Sequence, residues 1–158
     1  MGDIRAYVDE CKGSKYLMAL VICDSYEAPG FRRKLEALRM PRQRRIHMRK
    51  EGARRQAEIR KKVEAMSLNS FIVTSDQKSQ PMARRECLTE VARICQANNV
   101  IELIIEADAS YESDDNKTLA RLIRDGAIDF QFRHSIPQTE PMLWAADVLA
   151  WIANKTSR

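Results

Sequence analysis

The stretch YVDECKGSKYLMALVIC, residues 7–23, contains two apolar runs separated by a short turn. Residues 4–11 alternate imperfectly between apolar and polar side chains, whereas residues 16–23 are almost continuously apolar. Gly13 and Ser14 between the runs are typical of a tight turn. The pattern predicts a β-hairpin whose second strand is buried on both faces, as in the centre of a sheet.

The remaining hydrophobic pattern predicts an α/β fold in which helices and strands alternate. Further strands are predicted at 44–48, 71–73, 100–106 and 128–133, and helices at 51–66, 82–98 and 140–155. Another helix, marked by Leu119, Leu122 and Ile123, is predicted to stop at Gly126. Three early antiparallel strands followed by this alternation indicate a mixed β-sheet with helices on both faces. At 158 residues, the chain 1–158 is expected to form a single domain.

The positive charge of the chain is concentrated in one segment. The net charge is +5, and residues 32–64 contain 14 of the 27 basic residues but only four Glu. This asymmetry predicts a basic surface that binds a polyanion such as nucleic acid; a solvated helix face is the alternative. Residues 29–43, bracketed by Pro29, Gly30 and Pro41, are expected to form a short basic helix or a mobile excursion.

Nine basic residues of this segment are candidates for contacting phosphates: Arg44, Arg45, Arg49, Lys50, Arg54, Arg55, Arg60, Lys61 and Lys62. Few aromatic residues accompany them, so binding is expected to be directed at the backbone and sensitive to salt. Nucleotide-binding, dinucleotide-binding and serine-hydrolase motifs are absent from the sequence. Because it has neither an apolar run of about 18 residues nor a signal-type N-terminus, we expect a cytoplasmic protein without membrane contact.

Acidic residues stand at the ends of two apolar strands and within the last helix. Asp9 and Glu10 close the first strand, and Glu106 closes the run VIELIIE. Asp147 lies in the apolar pattern LWAADVLAWI, where an unpaired carboxylate would be costly. Asp147 therefore needs a partner: it caps a loop, pairs with an arginine, or joins the strand carboxylates around a divalent cation.

These carboxylates form a candidate metal site. If their strands are neighbours, Asp9 and Glu106 lie side by side at the strand ends, where open sheets bind ligands. Clustered carboxylates repel one another unless a cation bridges them, and Mg²⁺ and Mn²⁺ prefer oxygen ligands. Two such ions would suit phosphodiester hydrolysis. His47, just before the basic helix, is a candidate ligand, proton carrier or phosphate contact, with a simple strand-end histidine as the alternative.

The order of strands and acids resembles the ribonuclease-H-like fold and, within it, the bacterial family called domain of unknown function 3800. That family has a Tyr-x-Asp-Glu-Ser-Gly opening, a histidine before a charged helix, and Leu-Gln-x-Ala-Asp in its last helix. The corresponding stretches here are YVDECKG, RIHMRKE and LWAADVLA. The resemblance implies a catalytic set whose members are Asp9, Glu10, His47, Glu106 and Asp147.

Three positions depart from the family pattern. Cys11 replaces serine, Trp144 replaces glutamine, and Glu106 stands where aspartate is usual. Two hypotheses therefore stay open. The first is a divalent-metal-dependent nuclease, or related phosphodiester hydrolase acting on nucleic acid, with Asp9, Glu106 and Asp147 as ligands of Mg²⁺ or Mn²⁺. The second is a non-catalytic nucleic-acid-binding or assembly protein that retains the fold.

Overall fold

Backbone hydrogen bonds define a five-stranded mixed sheet. The computed structural model describes residues 2–156, so positions 1, 157 and 158 of the expected domain lie outside the described part. The strands are β1 (Ile4–Lys12), β2 (Tyr16–Asp24), β3 (Asn69–Ser75), β4 (Glu102–Glu106) and β5 (Gln131–Ser135). Their order in the sheet is β3-β2-β1-β4-β5. β2 runs antiparallel to β1 and β3, while β4 runs parallel to β1 and β5.

Helices cover both faces of this sheet. They are α1 (Ala28–Leu38), α2 (Ala53–Ala65), α3 (Gln80–Ala97), α4 (Glu112–Arg124) and α5 (Pro141–Thr156), with short 3-10 helices at Met48–Lys50 and Pro137–Thr139. One apolar core lies between the sheet and α3 and α4, and a second lies between the sheet and α1, α2 and α5. The predicted mixed sheet with helices on both faces is therefore confirmed.

The hairpin β1–β2 is central, as its apolar pattern predicts. Eight of the nine residues of β2 are buried, because β2 has a strand on each side and helices over both faces. The helix α5 packs against both hairpin strands as well as against α1 and α2. Because it has neighbours on most sides, α5 is apolar around nearly its whole circumference.

The third strand is not where the sequence predicted it. Residues 44–48 form a loop that leads into the first 3-10 helix, and β2 pairs instead with β3, after α2. Ile46 and Met48 alternate with Arg45 and His47 because the loop buries every second side chain against α5, α1 and α2. The sheet accordingly has five strands within residues 2–156, one fewer than predicted.

Two smaller differences concern β5 and α1. The strand predicted at 128–133 begins only at Gln131, and Ile128 and Phe130 are buried in the connection that precedes it. α1 occupies most of 29–43, the segment for which a helix and a mobile excursion were the alternatives. Leu35 of α1 is fully buried in the core shared with α5. Across residues 2–156, none of the helices has the length and apolar character needed to span a membrane.

Candidate active site

The register of the parallel strands brings Asp9 and Glu106 together. Each residue lies one position beyond the last registered pair of β1 and β4, at the same edge of the sheet. Side chains alternate between the faces of a strand, and Tyr7 and Ile104, two positions earlier, belong to the core on the α5 side. Asp9 and Glu106 therefore face α5 as well.

Asp9 is buried among other carboxylates. Its residue surface is only 5% exposed, and its Oδ1 accepts a hydrogen bond from Glu10 N at 2.8 Å. Burial raises the pKa of Asp9 well above its ordinary value, and a hydrogen bond with the Glu106 carboxyl and the nearby charges of Glu106 and Asp147 raise it further. Asp9 and Glu106 thus form a carboxyl pair whose repulsion a proton or a cation would relieve.

Asp147 holds the loop before α2 against α5. Its Oδ2 accepts a hydrogen bond from Met48 N at 2.8 Å, and its Oδ1 lies 3.1 Å from His47 Nδ1. The guanidinium of Arg45 is farther away, with Nη2 at 4.0 Å from Oδ1. Asp147 thus caps a loop and lies near an arginine, which are two of the three roles predicted from its burial.

Arg45 is the cation closest to the carboxyl pair. Its Nη1 lies 3.0 Å from Glu106 Oε1, yet both Glu106 Oε1 and Arg45 Nη2 are buried without a hydrogen-bond partner. The contact is therefore ionic but poorly directed, since hydrogen bonds weaken steeply when they are misaligned. The sequence placed Arg45 only among the phosphate contacts. Its approach to Glu106, 61 positions along the chain and across a loop, carried no local signal.

These side chains line a cleft of about 250 Å³ on the α5 side of the sheet, which we call the carboxylate cleft. Its polar lining includes Asp9, Glu106, Asp147, Arg45, His47 and Arg49. Within residues 2–156, however, no three His, Cys, Asp or Glu side chains are grouped so that they could hold a metal ion. With its present side chains, the cleft pairs carboxylates with an internal arginine.

Glu10 faces the opposite side of the sheet. It lines a second cleft of about 310 Å³ together with Asp108 and Arg84, although Asp9 and Glu106 also border this space at the strand ends. Burial raises the pKa of Glu10, with Glu106 and Asp108 adding to the increase and the cations Lys12 and Arg84 opposing it. Glu10 also lines the carboxylate cleft with His47 and Asp147, so this residue borders both clefts.

Some of the nine candidate phosphate contacts are exposed, and the others are paired with groups of the protein itself. Arg55 donates to Leu38 O at 2.6 Å, and Arg60 pairs with Glu64 at 3.2 Å. Arg45 is engaged with Glu106, as described above. The exposed remainder consists of Arg44, Arg49, Lys50, Arg54, Lys61 and Lys62.

Three of these exposed residues lie close to the carboxylates. Arg49 lines the carboxylate cleft itself. Arg44 and Lys50 line a neighbouring cleft of about 390 Å³, which we call the basic cleft. Arg45 and His47 border both clefts, so the two spaces adjoin.

Comparison with solved structures supports the fold. The chain aligns over 97% of its length with 72% of an RNase HII chain in the structure of the PCNA:RNase HII complex from Archaeoglobus fulgidus, with a TM-score of 0.65 and 15% sequence identity. No family model matches the chain, and no curated protein does. At this identity the likeness shows the fold alone, so the resemblance to domain of unknown function 3800 stays a prediction. The chain thus has a mixed α/β fold similar to that of ribonuclease HII.

Proposed function

We propose that this protein is a divalent-metal-dependent nuclease, or a related phosphodiester hydrolase, that acts on nucleic acid. The observation that carries the proposal is the convergence of Asp9, Glu106 and Asp147 on one face of the sheet, where two parallel strands end. The similarity of the fold to an RNase HII favours nucleic acid as the substrate class. Membership of the family called domain of unknown function 3800 and a cytoplasmic location accompany this proposal as predictions from the sequence.

The carboxylates suit a hard cation in their chemistry. Asp9 is buried against like charges, and Glu106 Oε1 is buried without a hydrogen-bond partner. Mg²⁺ and Mn²⁺ take oxygen ligands of this kind, so Asp9, Glu106 and Asp147 would hold the metal once Arg45 moves away from Glu106. Metal bound there would supply an activated water and stabilise the leaving oxygen of the phosphodiester.

His47 is the side chain best placed to carry a proton beside these carboxylates. Its ring is about one-third exposed and lies against Asp147 through Nδ1. When Nδ1 donates to Asp147, Nε2 of the neutral ring is an acceptor that can take a proton from a reacting water. Glu10 borders both this cleft and the one on the other face of the sheet, and would assist through its charge on the nearby carboxylates.

Recognition of the substrate would rest on charge. Arg49 in the carboxylate cleft and Arg44 and Lys50 in the basic cleft are exposed and flank the carboxylates. They would neutralise phosphates on either side of the bond to be cleaved, which the carboxylates alone would repel. Such contacts position the backbone without reading the base sequence.

A non-catalytic nucleic-acid-binding or assembly role is the second candidate. The observation that favours it is the ion pair between Arg45 and Glu106, because an internal cation already neutralises part of the carboxyl cluster. In this role, the exposed basic residues bind nucleic acid and the carboxylates only position the loop. Replacing Asp9 would then leave function unchanged.

Cleavage assays on labelled RNA, DNA and RNA–DNA hybrid in Mn²⁺ distinguish the two candidates. We expect the wild-type protein to cleave at least one substrate, and Asp9→Asn and Asp147→Asn to reduce cleavage to background. The matched control is Asp129→Asn, an exposed carboxylate that precedes β5 at the opposite end of the sheet and should retain wild-type cleavage. Nucleic-acid binding without cleavage, equal in wild type and Asp9→Asn, would instead establish the non-catalytic role.

A further inference from the structure

A further cleft lies where the turn of the β1–β2 hairpin meets the loop between β3 and α3. Its volume is about 450 Å³, and we call it the hairpin cleft. It lies at the same edge of the sheet as Asp9 and Glu106, because β3 runs parallel to β1 with β2 between them. Three lysines from separate segments line it: Lys12, Lys15 and Lys78. They lie outside the basic segment 32–64, so no local run of charge marked them in the sequence.

The hairpin cleft adjoins the carboxylate cleft through Lys12, which lines both spaces. Lys12 is three positions beyond Asp9 on β1, so the hairpin cleft begins roughly 10 Å from that carboxylate. Along one strand of a nucleic acid, phosphates recur about every 3.4 Å of helix axis, so this distance corresponds to about three nucleotides. A strand that crosses the carboxylate cleft can therefore reach the hairpin cleft.

The three lysines are exposed, and the fold makes little use of their charge. Lys15 pairs with Asp76 at 3.2 Å, but both side chains are more than half exposed, and such a pair contributes little stability. The ammonium group of Lys12 lies 5.6 Å from the centre of the Tyr111 ring. Lys78 forms no ion pair within the part of the chain that the structure describes. These charges are therefore available to an anion.

The rest of the lining also suits phosphate. Asp76 is the one carboxylate among the described residues that line the hairpin cleft, so the three lysines leave a net positive charge there. Ser14 and Gln80 add an exposed hydroxyl and an exposed amide, which can donate hydrogen bonds to phosphate oxygens. The lining thus matches both the charge and the hydrogen-bonding capacity of a phosphate group.

We propose that the hairpin cleft is a phosphate-binding site, in which Lys12, Lys15 and Lys78 hold the backbone of a nucleic acid about three nucleotides from the carboxylates. This inference rests on the proposed function only in taking nucleic acid as the polyanion, and it requires no bound metal. The carboxylate cleft then lies between two basic spaces, since Arg45 and His47 border the basic cleft and Lys12 borders the hairpin cleft. A bound strand is held on both sides of the carboxylates.

Fluorescence anisotropy in EDTA tests the site, with a labelled RNA–DNA hybrid of about 20 base pairs and each of its single strands as probes. Lys12→Gln/Lys15→Gln/Lys78→Gln should lower the affinity for the tightest-bound probe at least about tenfold at about 0.1 M salt, because phosphate contacts are lost. The slope of log affinity against log salt should fall by roughly one for each lysine that contacts a phosphate.

The matched control is Lys117→Gln/Arg121→Gln/Arg124→Gln, which removes the same charge from exposed side chains of α4. It should lower the affinity much less, because none of these three residues lines the carboxylate, basic or hairpin cleft. Equal losses in the two triple variants would show a general effect of net charge and would overturn the site.

Removal of the acid in the hairpin cleft tests the site in the opposite direction. Asp76→Asn frees Lys15 and removes a charge that repels phosphate, so it should raise the affinity about two- to fivefold. A gain of this kind cannot come from a loss of folding. Asp129→Asn, at the opposite end of the sheet, should leave the affinity unchanged. An unchanged or lower affinity in Asp76→Asn would contradict a phosphate at the hairpin cleft.

The outcomes separate this inference from the proposed function. If the wild type cleaves nucleic acid while the triple lysine variant binds as tightly as the α4 control, the hairpin cleft is wrong and the proposed function stands. If the lysine variant binds more weakly than the control but no probe is cleaved in Mn²⁺, the hairpin cleft stands and the nuclease activity is wrong. If the wild type binds none of the probes in EDTA, the hairpin cleft is wrong whatever the cleavage assay shows.

Discussion

Arg84 and Asp115 form a buried ion pair in which each carboxylate oxygen accepts a hydrogen bond from the guanidinium. Both side chains are at most 2% exposed, and His134 Nε2 lies 3.0 Å from Asp115 Oδ2. Burial would raise the pKa of Asp115, but hydrogen bonds from Arg84 and His134 outweigh it and hold this pKa below its ordinary value. The network ties α3 to α4 and β5, so we regard it as structural.

Replacing Arg84 should therefore be costly. Arg84→Met removes the arginine partner of the buried Asp115 carboxylate and leaves His134 beside it, and we expect the free energy of unfolding to fall by about 3–5 kcal/mol. Urea denaturation measures the change. The neighbour Arg85, exposed and paired with Asp114, is the matched control, and Arg85→Met should leave the stability nearly unchanged. Equal effects of the two replacements would contradict a structural role for the buried pair.

Asp9 should destabilise the metal-free fold at neutral pH. The pKa of Asp9 is raised in the folded state, so above the ordinary carboxyl pKa the folded protein binds more protons than the unfolded chain. The free energy of unfolding therefore falls as the pH rises from the ordinary carboxyl pKa towards the raised pKa of Asp9. Asp9→Asn should thus raise the free energy of unfolding by about 1 kcal/mol in EDTA at pH 7, and the gain should shrink towards pH 4.

Chemical denaturation of wild type and Asp9→Asn at the two pH values checks this sign. Asp129→Asn, which removes an exposed carboxylate, should show no such gain. A loss of stability in Asp9→Asn at pH 7 would mean that the carboxylate of Asp9 is favourably paired in the free protein.

The sequence anticipated some of these residue environments and not others. The apolar neighbours of Asp147 predicted a buried carboxylate in need of a partner, and the strand ends predicted that Asp9 and Glu106 would be adjacent. The sequence could not assign Arg45 to Glu106, because that contact depends on how a loop folds over the strand end. Arg55 looked like any other basic residue of its helix, but its place beside Leu38 O engages it in the fold.

At the level of elements, long apolar runs were predicted well, whereas short patterns gave one wrong strand, at 44–48, and shifted bounds for β5. β2, β4 and α5 follow from long apolar runs that are typical of a central strand or a buried helix. The prediction at 44–48 failed because a loop that buries alternate side chains has the same two-residue period as a strand. The strand that does pair with β2, β3, has the weaker pattern of an edge strand, with buried Val73 between exposed Ile72 and Thr74.

The turn of the β1–β2 hairpin approaches the end of α5 closely. A Cβ on Gly13 would overlap the side-chain amide of Asn154, so alanine fits here only if that buried side chain shifts. Gly13→Ala should therefore cost about 1–3 kcal/mol of stability through overpacking.

Urea denaturation compares this change with a matched one. Gly30→Ala lies inside α1 with no heavy atom closer than 3.9 Å to the added Cβ, and it should stabilise the protein by about 0.5 kcal/mol. Truncation of the facing side chain in Gly13→Ala/Asn154→Ala should recover part of the loss. If Gly13→Ala were as benign as Gly30→Ala, the hairpin would not pack on α5 as described.

At the scale of the whole molecule, the uneven charge indicates where a polyanion would bind. Arg44 and Lys50 lie beside the carboxylates, whereas Lys61 and Lys62 are exposed near the end of α2. We expect Arg44→Gln/Lys50→Gln to weaken nucleic-acid binding more than Lys61→Gln/Lys62→Gln, and to lower the slope of log affinity against log salt by roughly one per lost phosphate contact. Fluorescence anisotropy across a salt series measures both, and equal effects would indicate a diffuse basic surface.

The central proposal is that Asp9 and Glu106 at the strand ends, together with Asp147 of α5, form a shared metal site. Calorimetric titration of Mn²⁺ and Mg²⁺ into the wild type, Asp9→Asn and Asp147→Asn tests it most directly, with Asp129→Asn as control. We predict saturable binding to the wild type and the control, and loss of binding in both cleft variants. Absence of binding to the wild type at millimolar metal, or binding that survives both replacements, would contradict the claim.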